Sequence, residues 1–199
     1  MKSAAKPPFI CQADYASALH ARALVDLLDN YARDPMGGGH PLSDFAKAHI
    51  VQALAARSQA FSVLAFADAN QAEPVGLVNC FESFSTFACK PLVNVHDVVV
   101  IASARGQGIA AAMLGLVESL ARARGACKLT LEVLSGNAPA TRRWGLPITS
   151  LTQRQGRHNF CKSGWTEDVA RKPKFLNEKK RPPSGWPQSF RNLNTRAGY

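Results

Sequence analysis

The hydrophobic pattern of the chain predicts three helices. In the clearest of them, over 109–125, apolar residues recur with the 3.6-residue period of a helix, at Ile109, Met113, Leu116, Val117 and Leu120. Leucine spacing predicts another helix over 16–33. A third begins at Ser43 or Asp44, residue types that favour a helix N-terminus, and continues to about residue 57. Prolines and three consecutive glycines predict a loop over 34–41.

Apolar runs bounded by polar turns predict five strands. They lie at 9–11, 61–66, 75–81, 92–100 and 128–133. The resulting order is strand, two helices, three strands, helix, strand. This order predicts an α/β fold in which helices cover a sheet.

A turn punctuated by glycine connects the strand over 92–100 to the helix that begins at Ile109. A helix N-terminus presents unpaired N–H groups, and glycine allows a phosphate to approach them closely, so this turn is a candidate anion site. The two glycines, Gly106 and Gly108, are equally typical of an ordinary strand–helix connection. The segment lacks the third glycine of a dinucleotide fingerprint and the Gly-Lys-Ser/Thr of a phosphate-binding loop.

Together with the strand before it, the segment Arg105-Gly106-Gln107-Gly108-Ile109-Ala110 resembles the acetyl-CoA-binding signature of the GNAT acyltransferase superfamily. The family form is Arg or Gln, two residues, Gly, one residue, and Gly or Ala, which Arg105, Gly108 and Ala110 meet. The resemblance extends from about residue 9 to Ala140. It implies a mixed α/β sheet with splayed parallel fourth and fifth strands and helices on both faces. It also implies acetyl-CoA as co-substrate, and acetyl transfer to a primary amine by direct attack in a ternary complex.

The resemblance implies which residues bind acetyl-CoA. The pantetheine arm would pair with the backbone of Val98, Val99 and Val100, as an added strand would. The pyrophosphate would bind the N–H groups of Arg105, Gly106, Gln107, Gly108, Ile109 and Ala110, and the Arg105 side chain would add charge-assisted contacts. Asn137 would contact CoA, with a role as a plain helix N-cap as the alternative reading.

Asp97 is the candidate group for binding or deprotonating the amine, because acetyl transfer to an amine requires loss of a proton. The alternatives are a solvated strand residue or a pair with His96, which faces the opposite side of the sheet in a regular strand but not at a bulge. Glu82 and the loop residue His40 are candidates for lining the acceptor site. A surface role for Glu82 and simple loop mobility around His40 are the competing interpretations. No metal site is expected.

The whole net charge of +10 lies in the last part of the chain. Residues 141–199 contain 13 of the 24 Lys and Arg residues but only three of the 14 acidic residues, so residues 1–140 are neutral overall. We therefore predict two parts, a neutral acetyl-CoA-binding core over 1–140 and a basic, poorly ordered tail over 141–199. Non-specific nucleic-acid binding by the tail is an alternative function, but the neutral core does not favour a nucleic-acid partner.

The tail departs from the family pattern. Family members continue with a helix that carries a tyrosine, the usual proton donor to the CoA thiolate, and ends in Leu-Gly-Phe, whereas no tyrosine occurs here between Tyr31 and Tyr199. In the alternative reading frame, permissible codons for 142–152 encode Ala-Leu-Gly-Phe-Ala-Asp-Tyr-Gln-Leu-Asp-Pro. Our hypothesis is that a small deletion after Ala140 shifted the frame and removed the last two strands. A CoA-binding remnant without turnover is therefore the second interpretation of function.

The five cysteines are odd in number and scattered, without a Cys-x-x-Cys pair, as is typical of reduced thiols in a cytoplasm. No run of about 18 apolar residues predicts a membrane span, and the first residues lack the apolar stretch of a secretory signal. We expect a cytoplasmic enzyme for a small-molecule amine, without a membrane partner, for which a homodimer is the assembly considered.

Overall fold

The computed structural model describes residues 7–35, 37–134 and 157–163. In chain order its elements are β1 (Phe9–Gln12), α1 (Ala18–Arg33), α2 (Asp44–Ala55), β2 (Ala60–Phe66), β3 (Pro74–Ser85), β4 (Lys90–Val100), a short 3-10 helix (Ala102–Ala104), α3 (Ile109–Ala123), β5 (Lys128–Leu134) and β6 (Arg157–Ser163). Every helix and strand predicted between residues 9 and 134 is present, with ends that differ by a few residues. None of the helices in these ranges is long and apolar enough to cross a membrane.

The strands form one sheet in the order β1-β2-β3-β4-β5-β6. All neighbours are antiparallel except β4 and β5, which are parallel. The predicted α/β fold with a mixed sheet is confirmed, and so is the parallel arrangement of the fourth and fifth strands.

Serine side chains begin the first two helices. The Ser17 hydroxyl accepts a hydrogen bond from the N–H of His20, and the Ser43 hydroxyl accepts one from the N–H of Ala46. Each serine thereby satisfies one of the N–H groups that a helix N-terminus leaves unpaired. Of the two residues considered for the start of α2, Ser43 is therefore the cap.

The sheet is buried on both faces. On one face, α3 contributes Met113 and Val117, both fully buried. On the other, α1 contributes Leu24 and Leu27, and α2 contributes Leu54. We call these the α3 face and the α1/α2 face.

Gly76 in β3 allows α3 to pack closely on the sheet. A Cβ atom at this position would lie 2.8 Å from Cε of Met113 and 3.2 Å from the carbonyl oxygen of Val99. Any larger residue would have to displace the Met113 side chain, which is fully buried.

A sixth strand, β6, lies after Ala140, where the frameshift hypothesis expects the last two strands of the family fold to be missing. β6 pairs with β5 along its whole length, from Lys128–Ser163 to Leu134–Arg157. The expectation of missing strands is therefore wrong for 157–163. Backbone hydrogen bonds at an open sheet edge are largely independent of side-chain identity, so the sequence of this segment gave little sign of the pairing. The division into a core over 1–140 and a tail stays a prediction.

Candidate functional site

A bulge interrupts β4 at His96. Asn79 of β3 pairs with Asp97, but the next residue, Cys80, pairs with Val95, so His96 has no partner in β3. An extra residue of this kind reverses the facing of the side chains on its two sides. Before the bulge Val93 and Val95 pack on the α3 face, whereas after it Val99 packs on the α1/α2 face.

The bulge places His96 and Asp97 on the same face. The His96 ring contacts the edge of Phe81, at a centroid distance of 5.5 Å, and Phe81 packs with the α1/α2 cluster. Asp97 is bound by Asn79, which also faces that side. The sequence left two cases for His96, the opposite face in a regular strand or a changed face at a bulge, and the structure has the bulge.

The pairing between β4 and β5 ends at the bulge. The two strands pair only from Val93–Leu129 to Val95–Leu131, although β4 continues to Val100 and β5 to Leu134. The described part of the chain places no strand against the β5 side of β4 beyond Val95. The splay expected between the fourth and fifth strands is therefore present. It leaves one edge of 96–100, the open edge, without a strand partner among the described residues.

The alternation of an antiparallel ladder shows which backbone groups line this open edge. The N–H of Ile101 donates to the carbonyl oxygen of Val75, which fixes that pair as hydrogen-bonded. Counting back in register, Val99 and Asp97 also bond to β3, whereas Val98 and Val100 direct their N–H and C=O groups away from it. Of the three valines predicted to pair with pantetheine, Val98 and Val100 therefore direct their backbone groups into the gap between β4 and β5.

The turn after β4 provides further backbone N–H groups. Gly106 and Gly108 both have φ of 82°, a left-handed conformation that favours glycine. Gly108 is the N-cap of α3, with no side-chain hydrogen bond to the helix and no acidic residue in the first turn. The N–H of Ala112 donates to the carbonyl oxygen of Gly108, which is the first hydrogen bond of the helix. The N–H groups of 109–111 therefore have no hydrogen-bond acceptor within α3.

A cavity with an empty volume of about 400 Å³, open to solvent, adjoins these groups. Its walls come from the end of β4 and from the turn, namely Val100, Ala104, Arg105, Gly106, Gly108, Ile109, Ala110 and Ala111. Most residues predicted to bind the pyrophosphate thus lie around one cavity at the positive end of the α3 dipole.

The Arg105 side chain has protein partners. Its Nε donates to the carbonyl oxygen of Val100 at 3.0 Å, and its Nη2 lies 3.4 Å from Oδ2 of Asp34 at the end of α1. The guanidinium is held at the mouth of the gap, and its contact with a bound phosphate stays a prediction. The pair with Asp34 also links the loop that follows α1 to the turn before α3.

The Asp97 carboxylate is half-buried and is held by a buried amide of β3. Its Oδ2 accepts a hydrogen bond of 2.9 Å from Nδ2 of Asn79. Asn79 is almost fully buried, which fixes the carboxylate from below. The alternatives for Asp97 were a solvated strand residue and a pair with His96. Among the described residues, its contact is with the Asn79 amide and not with His96.

The other predicted acceptor residues, Glu82 and His40, have contacts with other parts of the molecule. Glu82 forms an ion pair of 3.5 Å with Arg124 at the end of α3, and Arg124 also packs over the Phe61 ring. His40 is exposed, and its N–H donates to the carbonyl oxygen of Ala32. Roles for Glu82 and His40 in acceptor binding stay predictions. Asn137 lies outside the described residues.

Cys80 lies next to the bulge and is buried. Burial raises the pKa of its thiol, and the negative charge of Asp97 raises it further. A protonated thiol is a poor nucleophile. Nothing in this environment prepares Cys80 to accept an acyl group. The ranges that the structure describes contain no cluster of three or more potential metal ligands.

Comparison with known proteins shows the family to which the chain belongs. Residues 24–144 match the family model described as acetyltransferase (GNAT) family. No curated protein matches the chain.

Solved structures share the fold. A transcriptional regulator from Bacillus halodurans superposes with a TM-score of 0.62 at 17% identity, covering 74% of this chain and 98% of that one. NAA60 from Arabidopsis thaliana, in complex with a bisubstrate analogue, gives 0.56 at 18% identity, covering 78% and 98%. An aminoglycoside acetyltransferase from an uncultured soil metagenomic sample, in complex with sisomicin, gives 0.56 at 14% identity, covering 68% and 83%.

Proposed function

Because the chain belongs to the acetyltransferase (GNAT) family, we propose that it transfers an acetyl group from acetyl-CoA to a primary amine by direct attack in a ternary complex. The amine nitrogen forms a bond to the thioester carbonyl carbon, the carbon–sulfur bond breaks, and CoA leaves as a thiolate that takes up a proton. The amine loses its proton to a base. The buried, protonated Cys80 favours this direct route over an acyl-enzyme intermediate.

The observation that carries the proposal is that one strand combines an open backbone edge with a carboxylate at a bulge. Val98 and the N–H of Val100 offer backbone groups to the amides of the pantetheine arm. The strand leads directly into the turn before α3, where the N–H groups of 109–111 lack an acceptor within the helix and suit a pyrophosphate. The residues present therefore fit CoA. Asp97 is one residue from that edge, where it binds or deprotonates the amine.

We infer a cationic small molecule as the acceptor. The carboxylate of Asp97 is partly exposed, and its hydrogen-bond partner within the described ranges, Asn79, is neutral, so a positively charged amine would complete its charge balance. An aminoglycoside, a polyamine, a free amino acid and a peptide N-terminus form a panel that tests this inference.

The sequence favours a second candidate, CoA binding without turnover. No tyrosine occurs between Tyr31 and Tyr199, so the proton donor that the family uses for the thiolate is missing from the segment that follows β5. Sequencing the coding DNA over 135–199 tests the proposed origin of this difference. An alternative frame that encodes Leu-Gly-Phe supports the frameshift, and one without it contradicts the frameshift.

Thiol release from acetyl-CoA in the presence of the amine panel tests the proposed function. We expect release with at least one amine, and a loss of about 10²- to 10⁴-fold in kcat for Asp97→Asn, because that variant lacks the base. Asp26→Asn is the matched control, since Asp26 is exposed on α1 and paired only with Arg22 in the described contacts. CoA binding in calorimetry without thiol release for any amine would favour the second candidate instead.

A further inference from the structure

Four polar side chains form a hydrogen-bonded chain across three strands of the sheet. The Tyr15 hydroxyl lies 2.8 Å from Oγ of Ser62. Ser62 Oγ donates to Oδ1 of Asn79 at 2.6 Å, and Asn79 Nδ2 donates to Oδ2 of Asp97 at 2.9 Å. The chain therefore leads from the turn after β1 to the carboxylate at the bulge.

The hydrogen-bonding chemistry of the four side chains fixes which group donates in each of the three hydrogen bonds. A carboxylate can only accept, so Asn79 donates through its nitrogen and accepts through its oxygen. Ser62 has a single hydroxyl proton, which goes to Asn79, and Tyr15 is therefore the donor to Ser62. Burial raises the pKa of Tyr15 and keeps this phenol protonated. Every donor in the chain points toward Asp97, an arrangement in which hydrogen bonds strengthen one another.

The polar residues of the chain are buried where the fold itself calls for apolar ones. Ser62 is 1% exposed and Asn79 is 3% exposed. The neighbouring inward positions on this face, Leu64 and Leu77, are fully buried leucines. A buried polar group is costly unless it is hydrogen-bonded, so the packing of this face does not explain the polar pair.

We propose that Asn79 is a positioning residue for Asp97, held by Ser62 and Tyr15 in the one amide orientation that presents its nitrogen to the carboxylate. Oδ2 of Asp97 is then occupied, and no residue in the described ranges binds Oδ1, so Oδ1 is the oxygen that meets the acceptor amine. The chain does not conduct protons, because the amide nitrogen of Asn79 is not basic. This inference rests on the proposed function for its role in catalysis, whereas the coupling of the four side chains does not.

NMR of the Asn79 side-chain amide tests the coupling without any turnover. In Tyr15→Phe, Ser62 loses its donor, and we expect the Asn79 Nδ2 proton resonances to shift. Tyr31→Phe removes the same hydroxyl group from the same apolar cluster and should leave them in place. Unchanged Asn79 resonances in Tyr15→Phe would overturn the inference, whether or not the protein is active.

Steady-state kinetics test the positioning role. We expect Asn79→Leu to lower kcat about 100-fold, because displacement of a reacting group by about 1 Å has an effect of this size, and to leave KM for acetyl-CoA unchanged. Tyr15→Phe should lower kcat less, and Tyr31→Phe should not change it. An active protein in which Tyr15→Phe and Asn79→Leu both retain full kcat would overturn the inference. If the protein has no transferase activity but the Asn79 resonances shift, the coupling of the four side chains is supported and only the proposed function is contradicted.

Discussion

The two edges of β4 are built for different purposes. Toward β3 the strand is paired at every residue except the bulged His96, from Gly76–Val100 to Ser85–Lys90. Toward β5 it is paired only from Val93 to Val95. The first edge belongs to the folded core, whereas the second leaves backbone groups available to a ligand. One strand thus combines a role in stability with the proposed role in binding CoA, and the bulge at His96 marks the point where the open edge begins.

The largest effect we expect comes from damage to the paired edge. Leu77 lies opposite Val99 and is fully buried on the α1/α2 face. Leu77→Ala removes apolar contacts and leaves a cavity, so the free energy of unfolding should fall by about 2–5 kcal/mol in denaturant titration. Leu19→Ala is the control, because Leu19 is 44% exposed, and its change should stay within about 0.5 kcal/mol. Equal losses in the two variants would contradict the assignment of stability to the paired edge.

The next effect concerns the turn that follows the open edge. A Cβ atom at Gly108 would meet no atom within 4 Å, so Gly108→Ala is strained only by its φ of 82°. A left-handed alanine costs about 1–2 kcal/mol, and its methyl group would lie where a phosphate must approach the N–H groups. We expect the Kd for CoA to rise about tenfold or more in calorimetry.

Gly115→Ala is the matched control for this substitution. Gly115 is exposed within α3, and a Cβ atom there would also meet no atom within 4 Å. Alanine is the better helix former by about 1 kcal/mol, so this variant should gain stability and keep its CoA affinity. A loss of CoA affinity in Gly115→Ala equal to that in Gly108→Ala would remove the turn from the binding site.

A smaller effect should follow from the contact between Arg105 and Asp34. The two side chains are 59% and 32% exposed, so their ion pair contributes at most about 1 kcal/mol. Asp34→Asn releases Arg105 toward a bound phosphate, and we expect CoA to bind up to about fivefold more tightly, with the gain fading at high salt. Weaker CoA binding in this variant would show that Asp34 supports the site instead of competing for the arginine.

The smallest effect we expect is a loss of stability at alkaline pH that depends on the Tyr15 phenol. Because burial raises the pKa of Tyr15 in the folded state, the unfolded phenol ionises at a lower pH than the folded one. The stability that this phenol contributes is therefore complete below about pH 10 and is lost as the pH rises further. Tyr15→Phe should show a shallower alkaline loss of unfolding free energy than Tyr31→Phe. Equal losses of unfolding free energy with pH in the two variants would contradict the contribution of Tyr15.

The fold was largely predictable because its elements have strong local patterns. The stripe of Met113 and Val117 indicated the buried face of α3, and the glycine turn indicated the proposed CoA site. The bulge was not predictable from local sequence, since nothing in Val95-His96-Asp97 distinguishes a bulge from a regular strand. The partners of Asp97 were missed for a related reason, because Ser62 and Asn79 meet only through the register of three strands.

The most direct test of the account is amide hydrogen exchange along β4, measured residue by residue by NMR with and without CoA. The account predicts that the amides of Val98 and Val100, which face the gap, exchange quickly in the free protein and slowly with CoA bound. The amides of Asp97 and Val99, which bond to β3, should exchange slowly in both states. Binding of CoA that leaves Val98 and Val100 unprotected would contradict the claim that the open edge of β4 holds the co-substrate.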